Sequence, residues 1–581
     1  MKKMKRLWAA LLTLAMVLGM SMTTMAAAPN PATDVKTVDV ENLEPGVTVT
    51  AYQFIKATYN ETNDGFTGYE WLVDGDSNSN VKAGDTVTIK TGTTDEVVGL
   101  TSDFITALAA SDLTKLTNTA TATADANGKA TLSLKPGTWL ILVTSGTDTS
   151  KVYNPMVASV YYAKSGSDNT MDGDPVDASE NWTLETTGAY AKTSDLTITK
   201  TVEDDTKEIE RDRSKPEDIA NSEKVTFTVN TTIPSYSDAY LDTGDHKLTF
   251  EIKDTINAGL RYCGAPTDTV QVTALKKTVD GASVAAELGT DYTVTYYDKN
   301  NNVLAPDKYE TDAAYFIVSF DPAYLKSLAA ATDRTVTITY KAFVTAAASV
   351  ITPGENTVTL TYSDTPSSTK DKTDSEKVYT FDLNGTDKGG AFTKVKEDKT
   401  SPLAGATFTL YRAYSKDNAG KETVSDPFGS YTTGADGTIR FHGLGALEKN
   451  AQGNVKEGQL GTGAYYLKET EAPAPYTVND TIYKIEIVDI IRASATDDTV
   501  TGYTIKVSDP KTGETIGTTT FTVDNGKIKA SDSTVNIVNT KIINLPSTGG
   551  IGTTIFTIGG CVIMIAAAFL FFANRRKSSR S

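Results

Sequence analysis

Apolar and polar residues alternate in short runs along most of this chain. Leu196-Thr-Ile-Thr-Lys200, Val225-Thr-Phe-Thr-Val229 and Val336-Thr-Ile-Thr-Tyr340 are examples, divided by clusters of Gly, Asp, Asn and Pro. A period of two bounded by turn residues predicts antiparallel strands with one face buried, because successive strand side chains point to opposite faces. Many such runs and few helical ones predict an all-β chain of sandwiches in series. Ser102 to Ala110 is the one stretch that reads as helical. Polar breaks at Ser165–Glu180, Ser363–Lys377 and Ile542–Pro546 suggest domains at about 30–192, 193–385 and 386–542.

Both ends break this pattern. Lys2, Lys3, Lys5 and Arg6 precede an apolar run from Leu7 to about Met20, and small residues Ala26, Ala27 and Ala28 follow. Basic, apolar and small-residue segments in that order predict a secretory signal over 1–28, removed on export. At the other end Leu545, Pro546, Ser547, Thr548 and Gly549 precede an apolar run from Ile551 to Ala573, then a basic tail over 574–581 with Arg575, Arg576, Lys577 and Arg580. At about 1.5 Å per helical residue that run spans a hydrocarbon core of about 30 Å, with the cationic tail on the cytoplasmic side. The whole arrangement resembles the sorting signal of sortase substrates, which implies cleavage between Thr548 and Gly549 and covalent attachment outside the cell.

Composition narrows the chemistry. The formal charge is −18, from 73 acidic and 55 basic residues, with no basic patch for nucleic acid. Two histidines, His246 and His442, and two cysteines, Cys263 and Cys561, leave neither a metal-ligand cluster nor a nucleophile arrangement, and no cofactor is expected. Cys561 lies in the anchor, so an internal disulfide is ruled out in the exported part. Exported proteins often rely on disulfides, so another kind of reinforcement is expected here.

The last domain opens with Phe392-Thr-Lys-Val-Lys396 and Pro402-Leu-Ala-Gly-Ala-Thr-Phe-Thr-Leu-Tyr411. It continues with Gly463-Ala-Tyr-Tyr-Leu-Lys-Glu-Thr-Glu-Ala-Pro473 and closes with Ile537-Val-Asn-Thr-Lys541. These motifs resemble the collagen-adhesin B-type (CnaB-type) domain of Gram-positive surface proteins and pilins. The middle domain, with Thr249-Phe-Glu-Ile-Lys-Asp254, Gly259-Leu260 and Glu355-Asn-Thr-Val-Thr-Leu-Thr-Tyr362, is similar to the second domain of shaft pilins. The resemblance implies tandem immunoglobulin-like β-sandwiches, each cross-linked by a spontaneous Lys–Asn isopeptide bond that a nearby acid promotes. Residue by residue it implies Lys394, Asn539 and Glu469 in the last domain, and Lys200, Asn356 and Asp254 in the middle one. Glu469 also resembles the glutamate of the pilin E box.

Strand parity tests these positions separately. Leu196, Ile198, Lys200 and Val202 share one face, as do Leu248, Phe250, Ile252 and Asp254, and Asn356, Val358, Leu360 and Tyr362. Phe392 shares a face with Lys394, Tyr465 and Leu467 with Glu469, and Val535 and Ile537 with Asn539. Asn536 falls on the opposite face. All six side chains are thus expected to point inward, against the competing expectation of snorkelling lysines and turn asparagines. Burial would lower the lysine pKa and raise that of the acid, giving a neutral nucleophile and an acid able to donate to the carboxamide oxygen.

The first domain departs from the pattern. In Gly137-Thr-Trp-Leu-Ile-Leu-Val143, Val143 stands where the resemblance calls for an acid, so no internal bond is expected and this domain should be the most labile. Trp182-Thr-Leu-Glu-Thr-Thr-Gly-Ala-Tyr-Ala-Lys192 resembles the pilin motif, with Ala191 in place of its proline, which implies Lys192 as the polymerisation lysine. The resemblance then implies a shaft pilin that partners pilin and housekeeping sortases, further copies of itself and peptidoglycan. Minor or tip pilins and a host or surface receptor are implied as further partners. A monomeric wall-anchored adhesin is the alternative, and a surface enzyme is the least supported class.

Overall fold

The alternating runs fold as strands, and the Gly, Asp and Asn clusters between them as turns. The computed structural model describes residues 28–578 except 91–95, 146–150, 165–174, 178–180, 192, 204, 211–223, 237–239, 241–246, 278–280, 330, 366–367, 387–388, 447–463, 495–496, 498, 532–534 and 542–551. The chain divides into two compact units, one of Met1–Ala348 with Thr352–Tyr379 and one of Ser349–Ile351 with Thr380–Ser581.

The first unit opens with a sheet whose strands run in the order Val176–Asp177, Gly65–Trp71, Thr48–Tyr59, Gly137–Ser145, Met156–Lys164 and Trp182–Thr186. Lys36–Glu41 pairs with Ala130–Leu134 in a second sheet. The expected helix forms at Ser102–Ala109, where Thr101 Oγ1 accepts the Phe104 N–H at 3.1 Å and satisfies one orphan donor of the first turn. Its buried face carries Phe104 and Leu108, with Phe104 edge-on to Trp71 at 5.2 Å between ring centroids.

Further along the same unit two sheets form a sandwich. One orders Ile198–Val202, Lys224–Thr232, Thr335–Val344 and Leu260–Tyr262. The other orders Tyr292–Tyr297, Tyr315–Phe320, Phe250–Ile256, Gly354–Thr365 and Ser368–Val378. Val225, Phe227 and Val229 from one sheet meet Phe250, Ile252, Val358 and Leu360 from the other in a shared core. Burying each such side chain stabilises by about 1.5–3 kcal/mol before chain entropy is subtracted. Val152 joins this core from the preceding domain, whose Lys151–Tyr153 strand pairs with Thr193–Asp195.

Ser363–Lys377, expected as a polar break, is largely a strand. Ser368–Val378 pairs antiparallel with Gly354–Thr365, Asp374 opposite Val358 and Glu376 opposite Asn356. It is an edge strand, where charged side chains are tolerated and discourage pairing with other chains. Here they also tie the sandwich: Asp374 Oδ2 accepts the Lys200 backbone N–H at 2.7 Å, and Lys372 Nζ donates to the Leu196 carbonyl at 3.1 Å.

The second unit holds one long sheet in the order Glu422–Thr432, Thr407–Lys416, Ala464–Glu471, Ile482–Arg492, Val500–Ser508, Thr515–Asp524 and Lys527–Ala530. Its edges are blunted differently. On one, the register shifts between Pro427 and Gly429, and Asp426 just before takes a left-handed φ of 57°. The other is a four-residue strand bearing Lys527 and Lys529. Beside the sheet, Phe392–Val395 and Val535–Val538 pair in parallel with Lys394 opposite Ile537. Helix Gly552–Ser578 contains a 22-residue apolar span, Thr554–Arg575, long enough to cross a membrane.

Candidate functional site

In the last domain three side chains from three strands converge. Lys394 comes from Phe392–Val395, Glu469 from Ala464–Glu471, and Asn539 follows Val535–Val538; none is more than 1% exposed. Lys394 is fixed by its backbone N–H, which donates to the Gly437 carbonyl at 2.7 Å. Gly437 has a φ of 68°, and a Cβ there would lie 2.4 Å from the Lys394 carbonyl oxygen, so only glycine permits this close crossing. Lys394 Nζ donates to Glu469 Oε2 at 2.9 Å and to Asn539 Oδ1, while Asn539 Nδ2 donates to Glu469 Oε1 at 2.7 Å. Asn479 N–H completes the set, donating to Glu469 Oε2 at 2.9 Å. The Phe408 ring lies 5.5 Å from Nζ. Burial pulls the Lys394 pKa below its ordinary value and outweighs Glu469, which pushes it up.

The middle domain gathers Lys200, Asp254 and Asn356 with a fourth group. Lys200 is 2% exposed and the other two are fully buried. Lys200 Nζ donates to Asp254 and, at 2.7 Å, to the Tyr340 hydroxyl. Asn356 Nδ2 donates to the same hydroxyl at 2.6 Å, so Lys200 Nζ lies between the Asp254 carboxyl and a hydroxyl that also holds the amide. Tyr262 OH donates to Asp254 Oδ1 at 3.0 Å. Asn356 Oδ1 is buried without a hydrogen-bond partner. The Phe227 and Tyr340 rings lie 5.1 and 5.2 Å from Nζ. Desolvation again lowers the lysine pKa, against the opposing pull of Asp254.

The structure thus brings together both sets of three residues named from the sequence. It also puts the acid elsewhere than expected. Glu469 meets the amide nitrogen of Asn539, not its oxygen, because Lys394 Nζ occupies the oxygen and only the nitrogen offers hydrogens to a carboxylate. Tyr340, Tyr262 and Asn479 were missed. Tyr340 was within reach, since it shares parity with Val336 and Ile338 and a buried tyrosine hydroxyl needs a partner. An amine, a carboxyl and a carboxamide enclosed together supply the nucleophile, proton carrier and acyl carbon of an amide exchange.

Elsewhere the picture is plainer. Val143 of the first domain is buried opposite Val49. Among the described residues Lys200 and Lys394 are the buried lysines, and no cluster of His, Cys, Asp and Glu could hold a metal ion. Cys263 is buried, which pushes its thiol up to about 12, and His442 is exposed. Lys192, His246, the 1–27 segment and Leu545, Pro546, Ser547, Thr548 and Gly549 lie outside the described residues.

Three families match parts of the chain. The T6 antigen Ig-like domain matches residues 33–189, the SpaA prealbumin-like fold domain residues 389–499, and the LPXTG cell wall anchor motif residues 537–579. No curated protein matches the sequence. Among solved structures, the T6 backbone pilin of serotype M6 Streptococcus pyogenes, a modular three-domain protein, is similar over 88% of this chain and 99% of its own, at 19% identity and a TM-score of 0.51. The major pilin SpaD of Corynebacterium diphtheriae is similar over 88% and 98%, at 17% identity and a TM-score of 0.45. The major pilin SpaA of the same organism is similar over 87% and 100%, at 16% identity and a TM-score of 0.41. The chain thus carries a T6-antigen Ig-like domain first, a SpaA prealbumin-like fold domain after it and an LPXTG cell wall anchor motif last, the arrangement of a surface protein anchored to the cell wall.

Proposed function

We propose that this chain is the backbone subunit of a covalently polymerised surface pilus, hardened inside two of its domains by Lys–Asn isopeptide bonds. The observation that carries the reading is the pair of enclosed Lys–carboxyl–Asn clusters, each joining an early strand of its domain to a late one. In the last domain the lone pair of Lys394 Nζ attacks Asn539 Cγ and the carbonyl electrons move to Oδ1. Glu469 has one oxygen at each nitrogen, so it takes a proton from Nζ and delivers one to Nδ2. The Cγ–Nδ2 bond breaks, ammonia leaves, and an amide joins the strands. Lys200 and Asn356 undergo the same exchange beside Asp254.

Between subunits, a pilin sortase cleaves after Thr548, and Lys192 of the next copy attacks the resulting acyl-enzyme. A new amide forms and the enzyme is released. The housekeeping sortase joins the final subunit to peptidoglycan. Denaturing electrophoresis of wall extracts tests this directly. A high-mass ladder lost in Lys192→Ala supports the shaft, whereas a single band in the wild type indicates a monomeric adhesin. Each internal bond removes one ammonia, about 17 Da, so an unshifted mass of the folded chain would sink the cross-links.

A further inference from the structure

We propose that Tyr340 is a catalytic residue of the middle domain, carrying to the departing ammonia the proton that Asp254 cannot deliver itself. This inference rests on the cross-linking reading above and names the group that completes its chemistry. In the last domain a single glutamate touches both reacting nitrogens, Oε2 on Lys394 Nζ at 2.9 Å and Oε1 on Asn539 Nδ2 at 2.7 Å. Aspartate is one methylene shorter. Asp254 is hydrogen-bonded to Lys200 Nζ, and the partner of Asn356 Nδ2 is the Tyr340 hydroxyl, at 2.6 Å. That hydroxyl also accepts from Nζ at 2.7 Å, the same Nζ that meets the Asp254 carboxyl. It is the atom that joins the amine to the leaving nitrogen, with the carboxyl on the other side of Nζ. The aromatic ring near Lys394 is Phe408, which has no hydroxyl to offer.

The relay balances. In its reactive form the Lys200–Asp254 pair holds its shared proton on the carboxyl. Nζ attacks Asn356 Cγ, and Nδ2 gains a lone pair as its carbon becomes tetrahedral. Tyr340 gives its hydroxyl proton to Nδ2 and recovers the surplus proton of Nζ. The Cγ–Nδ2 bond then breaks and ammonia departs, with every side chain but Lys200 and Asn356 restored. Burial raises the Tyr340 pKa well above its ordinary value, so the phenol stays protonated and able to donate. Tyr262, on the other Asp254 oxygen, holds the carboxyl in place and touches neither nitrogen.

The test follows bond formation in the full-length chain, translated in vitro, quenched in denaturant at intervals and resolved by peptide mass mapping. In the wild type both domains are expected to lose ammonia. In Tyr340→Phe the Lys200–Asn356 link should form about 100-fold more slowly while the Lys394–Asn539 link keeps its rate. Tyr262→Phe should slow the middle link less than Tyr340→Phe does. If the wild type forms no middle link, the cross-linking reading itself fails. If the wild type links and Tyr340→Phe links equally fast, the role of Tyr340 is overturned and the reading stands. Should circular dichroism show Tyr340→Phe unfolded, fluorotyrosine at position 340 decides. A rate that follows the acidity of the phenol supports the relay, and an unchanged rate overturns it.

Discussion

The two buried clusters contain the same three residue types in different architectures. In the last domain Lys394 lies in one of two neighbouring parallel strands and Asn539 directly follows the other, and a glutamate bridges them alone. In the middle domain Lys200 lies in one sheet of a sandwich and Asn356 in the other, and an aspartate shares the bridging with a tyrosine. What both keep is a continuous hydrogen-bonded path between amine and amide nitrogen, closed off from water. The acid's length and the position of the strands are therefore adjustable, whereas that path is not.

The sharpest way to break the comparison is to remove each acid. Glu469→Ala and Asp254→Ala should each abolish ammonia loss in their own domain and leave the other domain linked, as peptide mapping would show. Each also strands a buried lysine, which costs about 3–5 kcal/mol, or about 10 °C in the melting temperature of the affected domain by calorimetry. A milder change, Glu469→Asp, imposes the middle domain's acid on the last domain. With Phe408 in place of a phenol, the Lys394–Asn539 link should form about 100-fold more slowly, read by the same mapping. The first domain, where no internal bond is expected, supplies the contrast. Limited proteolysis during gradual heating should cut within 30–192 before either later domain, and mass analysis of the fragments gives the order.

The smallest expected effect concerns Asp382, whose carboxyl burial pushes up to about 6. The folded state then holds a proton that the unfolded chain has released above about 4. Stability of the second unit should be greatest below that pH and fall as pH rises through about 6. Asp382→Asn should flatten that decline and raise the melting temperature at pH 7 by a few degrees.

How legible was this in the sequence? Parity alone turned Lys200, Asp254, Asn356, Lys394, Glu469 and Asn539 inward, because each sits in register with Leu, Ile, Val, Phe or Tyr two residues away. The strand Ser368–Val378 escaped because an edge strand need not alternate apolar and polar residues, and its Lys, Asp and Glu read as linker. Tyr340 passed as an ordinary core residue, since periodicity fixes where a side chain points and not what its hydroxyl meets. The difference between a link across two sheets and one between parallel neighbours depends on long-range pairing, which no local pattern encodes. The backbone N–H of Asn479 on Glu469 was hidden for the same reason.

The edges of the long sheet acquire a further meaning in a polymer. A filament repeats whatever its subunit exposes, so one free strand edge becomes a regular row of them along the fibre. Rows of that kind would lock neighbouring fibres together side by side, each weak pairing reinforced by the next. Asp426 and Pro427 interrupt one edge, and the short lysine-bearing strand Lys527–Ala530 forms the other. In a filament of the proposed kind, these small local defects would keep fibres separate on a crowded surface and leave each free to extend alone.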